Sequence, residues 1–340
     1  MKAPPIQSAP RLPKSLFRGY SGVAVVADEN TFRHCYGKIK EQLPPHQLIV
    51  IPAGEQFKNL DTCRTIWQQM TDAGLDRHSV LVGIGGGVIG DMAGFCASTF
   101  KRGMACILVP TTLLAMADAS IGGKTGIDFG RLKNHIGTFA LPASTWIATG
   151  FLDTLPRAEL RSGFAEVIKH ALISDKQLWN EIRNKPLEKQ NFRKLVRHSV
   201  EFKSAIVRKD PRESGLRKVL NFGHTVGHAL EGLTLGTAQP LLHGEAIAAG
   251  MIVEGHIAYQ KKLLREAELE EITACLLGLF GKVEMPSAER LLPGIGQDKK
   301  NKGKMVLLAL PKGIGKAVYD IPVSEAQIRA ALGYYRERQT

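Results

Sequence analysis

His224 and His228 stand four residues apart in RKVLNFGHTVGHALE, the stretch from Arg217 to Glu231. On a helix that spacing points both imidazoles along one face. Two neutral imidazoles so placed suit a divalent transition metal, because each offers a borderline-soft nitrogen lone pair. No glutamate follows the first histidine as it does in zinc peptidases, so a peptidase is not indicated. A third histidine, His243, opens the small-residue run LHGEAIAAGM, and Glu166 lies in GFAEVIKH with Lys169 three places further on. Glu166, His224 and His243 together form a His2Glu set, the ligand type of a catalytic zinc with an open position. Each piece also has a plainer reading: helix-surface or core histidines, and a surface ion pair.

The elements that must position these groups differ between the two halves of the chain. Val23 to Ala27, Leu48 to Ile51, Ser79 to Ile84 and Ala105 to Val109 are short apolar runs that read as buried strands. Between them, Leu60, Cys63, Ile66, Trp67 and Met70 share one side of a helix that Gly74 ends. Alternating strands and helices predict an α/β fold with a mostly parallel sheet. The third strand runs into GGGVIGD, Gly85 to Asp91, a strand–glycine turn–helix that lets backbone N–H groups approach a pyrophosphate. Gly85, Gly87 and Gly90 meet the dinucleotide spacing, but the usual acid about 20 residues later is missing. The glycines therefore serve either a different nucleotide fold or close helix–strand packing. Thr111 and Thr112 lie just beyond a strand's carboxyl end, where open α/β sheets bind ligands. MADASIGGKTGID, with Asp118 and Lys124, and the following Lys133 and Asn134 suit phosphate or carboxylate contacts, or form an exposed loop.

After Leu155 the pattern becomes helical, which divides the chain into residues 1–155 and 156–340. Arg157 to Ile173 and Phe192 to Val207 read as helices, DPRESG (Asp210 to Gly215) as a polar linker, and Met305 to Leu310 as a strand. Ser324 and Gln327 form a capping box for a last helix. The 340 residues are 44% hydrophobic and 23% charged, as in an ordinary globular protein, and no apolar run approaches the ~20 residues of a membrane span. MKAPPIQSAPRLPK lacks an apolar signal core, and five scattered cysteines without a CxxC pair fit reduced thiols, so a cytoplasmic protein is expected. The net charge of +13 is spread along the chain with few aromatics, which favours a basic cleft for a small polyanion over nucleic acid.

In this order PAGEQFK, GGGVIGD, VPTTLL, DASIGGKTG, KN, GFAEVIKH, NFGHTVGHALE and LHGEAIAAGM closely resemble the 3-dehydroquinate synthase family, from about Asp28 to Gly303. The resemblance implies a homodimer with an N-terminal Rossmann-like NAD domain and a C-terminal, mainly α-helical metal-binding domain. It implies zinc, with cobalt as an alternative, on Glu166, His224 and His243. It implies NAD on Asp28, Asn30, Glu55, Lys58, Gly86, Gly87, Val88, Asp91, Thr111, Thr112, Lys124, Lys133 and Thr154. An anionic sugar-acid phosphate would be met by Asp118, Lys124, Asn134, Lys169, Lys203, Arg217, Asn221 and His228. Of these, His228, Lys169, Asn221 and Lys124 would be catalytic. Arg102 would reach the partner subunit's phosphate site, joined by Lys299 or Lys300 from QDKKNKGK. The implied reaction converts 3-deoxy-D-arabino-heptulosonate 7-phosphate to 3-dehydroquinate and phosphate in the shikimate pathway, by transient oxidation, phosphate elimination, reduction and aldol closure, with NAD regenerated. Leu132 and Ala171 depart from the family pattern, each standing where glycine is common. Rival readings are a sugar phosphate cyclase whose substrate lacks a carboxylate, a metal-dependent polyol dehydrogenase, and a catalytically silent basic binding protein.

Overall fold

The computed structural model describes residues 6–7, 9–130, 132–234, 237, 239–296 and 305–338, and its contacts divide the chain into two units, Met1–Leu160 with Asn191–Ser204 and Arg161–Gln190 with Ala205–Thr340. In the first unit, β1 (Ile6–Gln7) is followed by β2 (Val23–Asp28), α1 (Glu29–His34), β3 (Gln47–Ile51) and α2 (Leu60–Asp72). Then come β4 (Val80–Gly85), α3 (Gly87–Thr99), β5 (Ala105–Pro110), β6 (Lys124–Phe129), β7 (Leu132–Phe139), β8 (Ser144–Thr145) and β9 (Ile147–Ala148). The main sheet has the order β3-β2-β4-β5-β8, and every pairing in it is parallel. Its central strands are continuous apolar runs because both faces are covered: every residue of β4 is buried.

Asn59 caps α2 through its side chain to the Thr62 N–H at 3.0 Å, and Gly74, at φ +69°, ends that helix as its position in the sequence suggests. The glycines before α3 permit close packing. A Cβ on Gly83 would lie 2.7 Å from the Ala93 Cβ, and one on Gly85 would lie 2.5 Å from the Ile89 side chain. Cys63 of α2, Cys96 of α3 and Cys106 of β5 lie in this core, each at most 7% exposed, and burial pushes the Cys106 thiol up to about 12.

For the segment carrying Lys124, Lys133 and Asn134, the exposed-loop alternative gives way to two strands. Lys124–Phe129 and Leu132–Phe139 form an antiparallel hairpin, β6 and β7. Gly126 and Gly137 face one another where an apolar pair would announce a strand, and a Cβ on either would meet facing backbone at 2.6 or 2.2 Å. The substitution of glycine for the alternating apolar residues hides the hairpin from a periodicity reading.

Two helices, α4 (Arg157–Ser174) and α6 (Phe192–Lys209), begin in the first unit and end in the second. The second unit also holds α5 (Lys176–Arg183), α7 (His224–Thr234), α8 (His243–Gln260), α9 (Glu266–Phe280), α10 (Ala288–Gly296), the hairpin β10 (Val306–Pro311) and β11 (Ala317–Val323), and α11 (Glu325–Glu337). Ser324 and Gln327 make the expected capping box at α11. Along α8 every residue from Ala246 to Val253 is buried. It crosses α7 where Gly223, Gly227 and Gly250 bring backbone against backbone: a Cβ on Gly250 would lie 2.0 Å from the Gly223 carbonyl oxygen. No helix of the described residues is long and apolar enough to cross a membrane.

Candidate metal centre and anion-binding residues

Within the second unit, Glu166 on α4, His224 at the start of α7 and His243 at the start of α8 converge, with donor atoms within 4.8 Å of one another. Glu166 Oε1 lies 3.3 Å from His224 Nε2 and 3.6 Å from His243 Nε2. Those separations match the edges, about 3.3–3.6 Å, of a tetrahedron whose corners stand ~2.0–2.2 Å from a central zinc. The donor set therefore fits a divalent cation. Lys169 donates to the other oxygen, Glu166 Oε2, and both side chains are almost fully buried, which removes the surface-ion-pair reading.

Surrounding groups orient the imidazoles. His224 Nδ1 stands 3.2 Å from the Phe222 carbonyl oxygen, so an N–H there leaves Nε2 as the lone pair. His243 Nδ1 stands 3.4 Å from Glu231 Oε2. Burial, Lys169 and the neighbouring histidines outweigh Glu166 and hold the His224 pKa well below its ordinary value. For His243, burial acts downward, but contacts with Glu166 and Glu231 prevail and raise it to about 9. The place between those carboxylates thus draws positive charge. His228, one turn beyond His224, is exposed, and the two rings are 5.0 Å apart.

Two carboxylates here escaped the sequence reading. Glu231 follows His224 and His228 at helical spacing, so its place on their face was legible from the period. Glu254 is a single acid ending the apolar run of α8 and is fully buried. Its Oε2 accepts the Gly223 N–H at 2.6 Å and its Oε1 the Val226 N–H at 3.0 Å.

The polar linker DPRESG proves to be a fixed loop. Asp210 accepts the backbone N–H groups of Ser214 (2.9 Å), Gly215 (2.7 Å) and Arg217 (3.0 Å). Arg217 to Asn221 lie in a separate 3-10 helix, Leu216–Asn221, and Gly223 at φ +80° divides it from α7. Arg217 is buried, with Nη1 donating to the Pro211 carbonyl at 2.8 Å, and Asn221 donates to Glu213 Oε1 at 2.6 Å. Burial acts to raise the Asp210 pKa, but the three N–H donors outweigh it and lower it to about 2. A folded-state pKa below the unfolded value of ~3.9 stabilises the fold above that value and is lost as pH falls through 2. Asp210→Asn is therefore expected to lower the urea midpoint at pH 6, with the difference from wild type shrinking below about pH 4. A constant difference from pH 6 to pH 3 counts against this role.

In the first unit a second polar cluster forms. Lys58, buried, donates to Asp91 Oδ2 at 2.7 Å and to the Asn134 side-chain oxygen. Glu55 Oε1 lies 3.9 Å from Lys58 Nζ and 3.7 Å from Lys133 Nζ. Asn134, at φ 49°, also donates its N–H to Asp128. Gly86 is the N-cap of α3 and Gly87 and Val88 open its first turn, while the Thr111 N–H donates to Gly85 and Thr112 Oγ1 accepts the Ala115 N–H. Asp28 caps α1 through the Thr31 N–H, and Asn30 lies exposed in that helix. Lys203 pairs with Asp118 at 2.7 Å. Lys124 opens β6, Thr154 closes a 3-10 helix, and Arg102 stands exposed at φ 68° beyond α3. Lys299 and Lys300 lie outside the described residues.

Two family models match in succession, 3-dehydroquinate synthase N-terminal over residues 48–162 and 3-dehydroquinate synthase C-terminal over residues 163–301. The chain is 36% identical to a 3-dehydroquinate synthase of Parabacteroides distasonis over 326 residues, covering 94% of this chain and 92% of that one. It is 40% identical to one of Acidithiobacillus ferrooxidans over 330 residues, covering 93% and 89%. Among solved structures it is similar to 2-epi-5-epi-valiolone synthase from Streptomyces hygroscopicus with NAD+ and Zn2+ bound, at TM-score 0.87 and 29% identity, covering 99% of this chain and 98% of the other.

Proposed function

This chain belongs to the 3-dehydroquinate synthase family, and on that premise we propose how its residues divide the work. The protein is a phosphorus–oxygen lyase that converts 3-deoxy-D-arabino-heptulosonate 7-phosphate to 3-dehydroquinate and phosphate, using NAD+ and a divalent cation. The observation that carries the catalytic reading is the convergence of Glu166, His224 and His243 in a unit matched by the family's C-terminal model. When bound, NAD+ offers a hydride acceptor restored within each turnover, and the cation offers Lewis acidity toward a substrate hydroxyl.

Glu166, His224 and His243 would hold the cation, with Lys169 and Glu231 fixing Glu166 and His243. His228, exposed one turn beyond His224, would take and return a proton at the substrate, with Asn221 as a polar partner, and Lys124 completes the catalytic set the family implies. The Lys58, Asp91 and Asn134 network and the glycine turn at α3 support the NAD+ assignment. Asp118, Lys203 and Arg217 would meet the anionic substrate, and the spread of positive charge favours its arrival. We read the protein as a cytoplasmic homodimer. Phe129, Leu132 and Phe139 on the β6–β7 hairpin, with Leu141 beyond it, are exposed apolar side chains that a second copy would cover.

The deciding assay adds the heptulosonate phosphate and NAD+ and follows phosphate together with absorbance of NADH. Phosphate should appear without stoichiometric NADH. One NADH per substrate consumed would convert the reading to a polyol dehydrogenase, which shares chemistry of metal and nicotinamide.

Arg217 supports a carboxylate-bearing substrate. A guanidinium makes bidentate, charge-assisted contacts with a planar carboxylate, and a cyclase acting on a neutral sugar phosphate needs no such group. Arg217→Ala is expected to lower kcat/KM for the keto acid phosphate at least ~10-fold, from loss of a charged hydrogen bond of ~1.5–3 kcal/mol. Unchanged kcat/KM in a variant of normal Tm would leave Arg217 as a loop-holding residue only.

A further inference from the structure

Helix α7 begins with a deficit. Its first-turn N–H groups have no partners within the helix, and Gly223, the residue before His224, has no side chain to offer them. The acceptor comes from another helix. Glu254, eleven residues after His243 on α8, places one carboxyl oxygen 2.6 Å from the Gly223 N–H and the other 3.0 Å from the Val226 N–H. These two N–H groups bracket His224. The helix end carries partial positive charge, and the fully buried setting strengthens each bond.

We propose that Glu254 is a positioning residue for the metal centre: it caps α7 from α8 and so fixes His224 in register with His243. The inference rests on the metal reading above. Its physical basis is that one carboxylate, three turns along α8 from His243, ties the start of α7 to the helix that His243 begins. His243 is on the same helix as Glu254, and His224 lies between the two N–H groups that Glu254 accepts. The glycine crossing sets how closely α7 and α8 approach, whereas a two-pronged hydrogen bond sets rotation and sliding of α7. Van der Waals contact through Gly223, Gly227 and Gly250 is not directional in the way a hydrogen bond is. Ligand atoms must be held to within a few tenths of an ångström for full affinity, so a loosened cap should be read first in metal binding.

Glu254→Gln tests this with little change of volume. The amide oxygen can accept one N–H, but its NH2 group then faces the other donor. Zn2+ affinity is measured on the metal-free protein by competition with a chromophoric chelator, and the Co2+-substituted protein is examined by visible absorption. The variant is expected to bind Zn2+ about 10- to 100-fold more weakly, with a changed Co2+ spectrum, unchanged far-ultraviolet circular dichroism and unchanged NAD+ binding. A folded variant with Zn2+ affinity within twofold of wild type overturns the proposal and leaves Glu254 with a role in stability alone. Should Glu254→Gln fail to fold, Glu254→Asp carries the test: it keeps the carboxylate one methylene further from α7, and wild-type affinity there overturns the proposal equally. A wild-type chain that binds no Zn2+ instead defeats the metal reading itself, which separates the two failures.

Discussion

Replacing His243 with alanine is expected to leave a folded chain that retains less than a tenth of one Zn2+ and loses at least ~10³-fold in kcat/KM, since Lewis-acid stabilisation is worth several kcal/mol. The fold should survive because His243 is the first residue of α8, only partly buried, and alanine is a good helix former there. Metal binding should not, because two donors, Glu166 and His224, cannot hold a zinc that requires three protein ligands. Elemental analysis after dialysis and circular dichroism check the two halves of this expectation. Full zinc occupancy in the variant rejects the ligand assignment.

A second large effect is expected where no functional side chain is involved. Gly250→Ala places a methyl 2.0 Å from the Gly223 carbonyl oxygen and 2.8 Å from the Gly227 nitrogen, and backbone cannot step aside as a flexible side chain can. Overpacking typically costs about 1–3 kcal/mol, and a clash with main chain on both sides belongs at the top of that range or above it. At 3 kcal/mol the Tm of this unit should fall by roughly 6–12 °C. The helices carrying His224 and His243 must separate to admit the methyl, so Zn2+ affinity should fall as well. Gly232→Ala is the control: it lies in α7 with nothing within 4 Å of the added Cβ, and should be neutral or stabilising. A Gly250→Ala protein melting within 2 °C of wild type shows that the crossing can relax, and then close packing does not set the spacing of the histidines.

These two sites mark how far the sequence could be read. The pairs within single helices were legible because periodicity carries them, Glu166 and Lys169 three apart and His224 and His228 four apart, whereas the convergence of Glu166, His224 and His243 from three helices leaves no such trace. The buried strands β2 to β5 were legible because parallel strands covered on both faces are continuous apolar runs. Other features leave no periodic trace. The β6–β7 hairpin puts glycine opposite glycine, and β8 joins the sheet through only two residues. The break between Arg217 and His224 depends on Gly223 at φ +80°, a conformation glycine permits without advertising it. Glu254 acts on backbone 28 and 31 residues earlier in the chain, and a lone acid after an apolar run does not name its partner. Asp210 looked like an ordinary linker residue because its acceptors' partners are main-chain N–H groups, which every sequence contains.

The cysteines of the first unit's core have a consequence of another kind. Cys63, Cys96 and Cys106 are sealed in the buried core, and burial pushes the Cys96 and Cys106 thiols up, so those two hold almost no thiolate in the native state at neutral pH. An alkylating reagent can reach them only when that core opens. Cys275 in α9 is less buried, with its thiol at about 11. Mass-resolved labelling over time therefore amounts to a built-in clock for the opening of the sheet-bearing unit, with the partly exposed Cys275 as an internal reference and without any engineered probe.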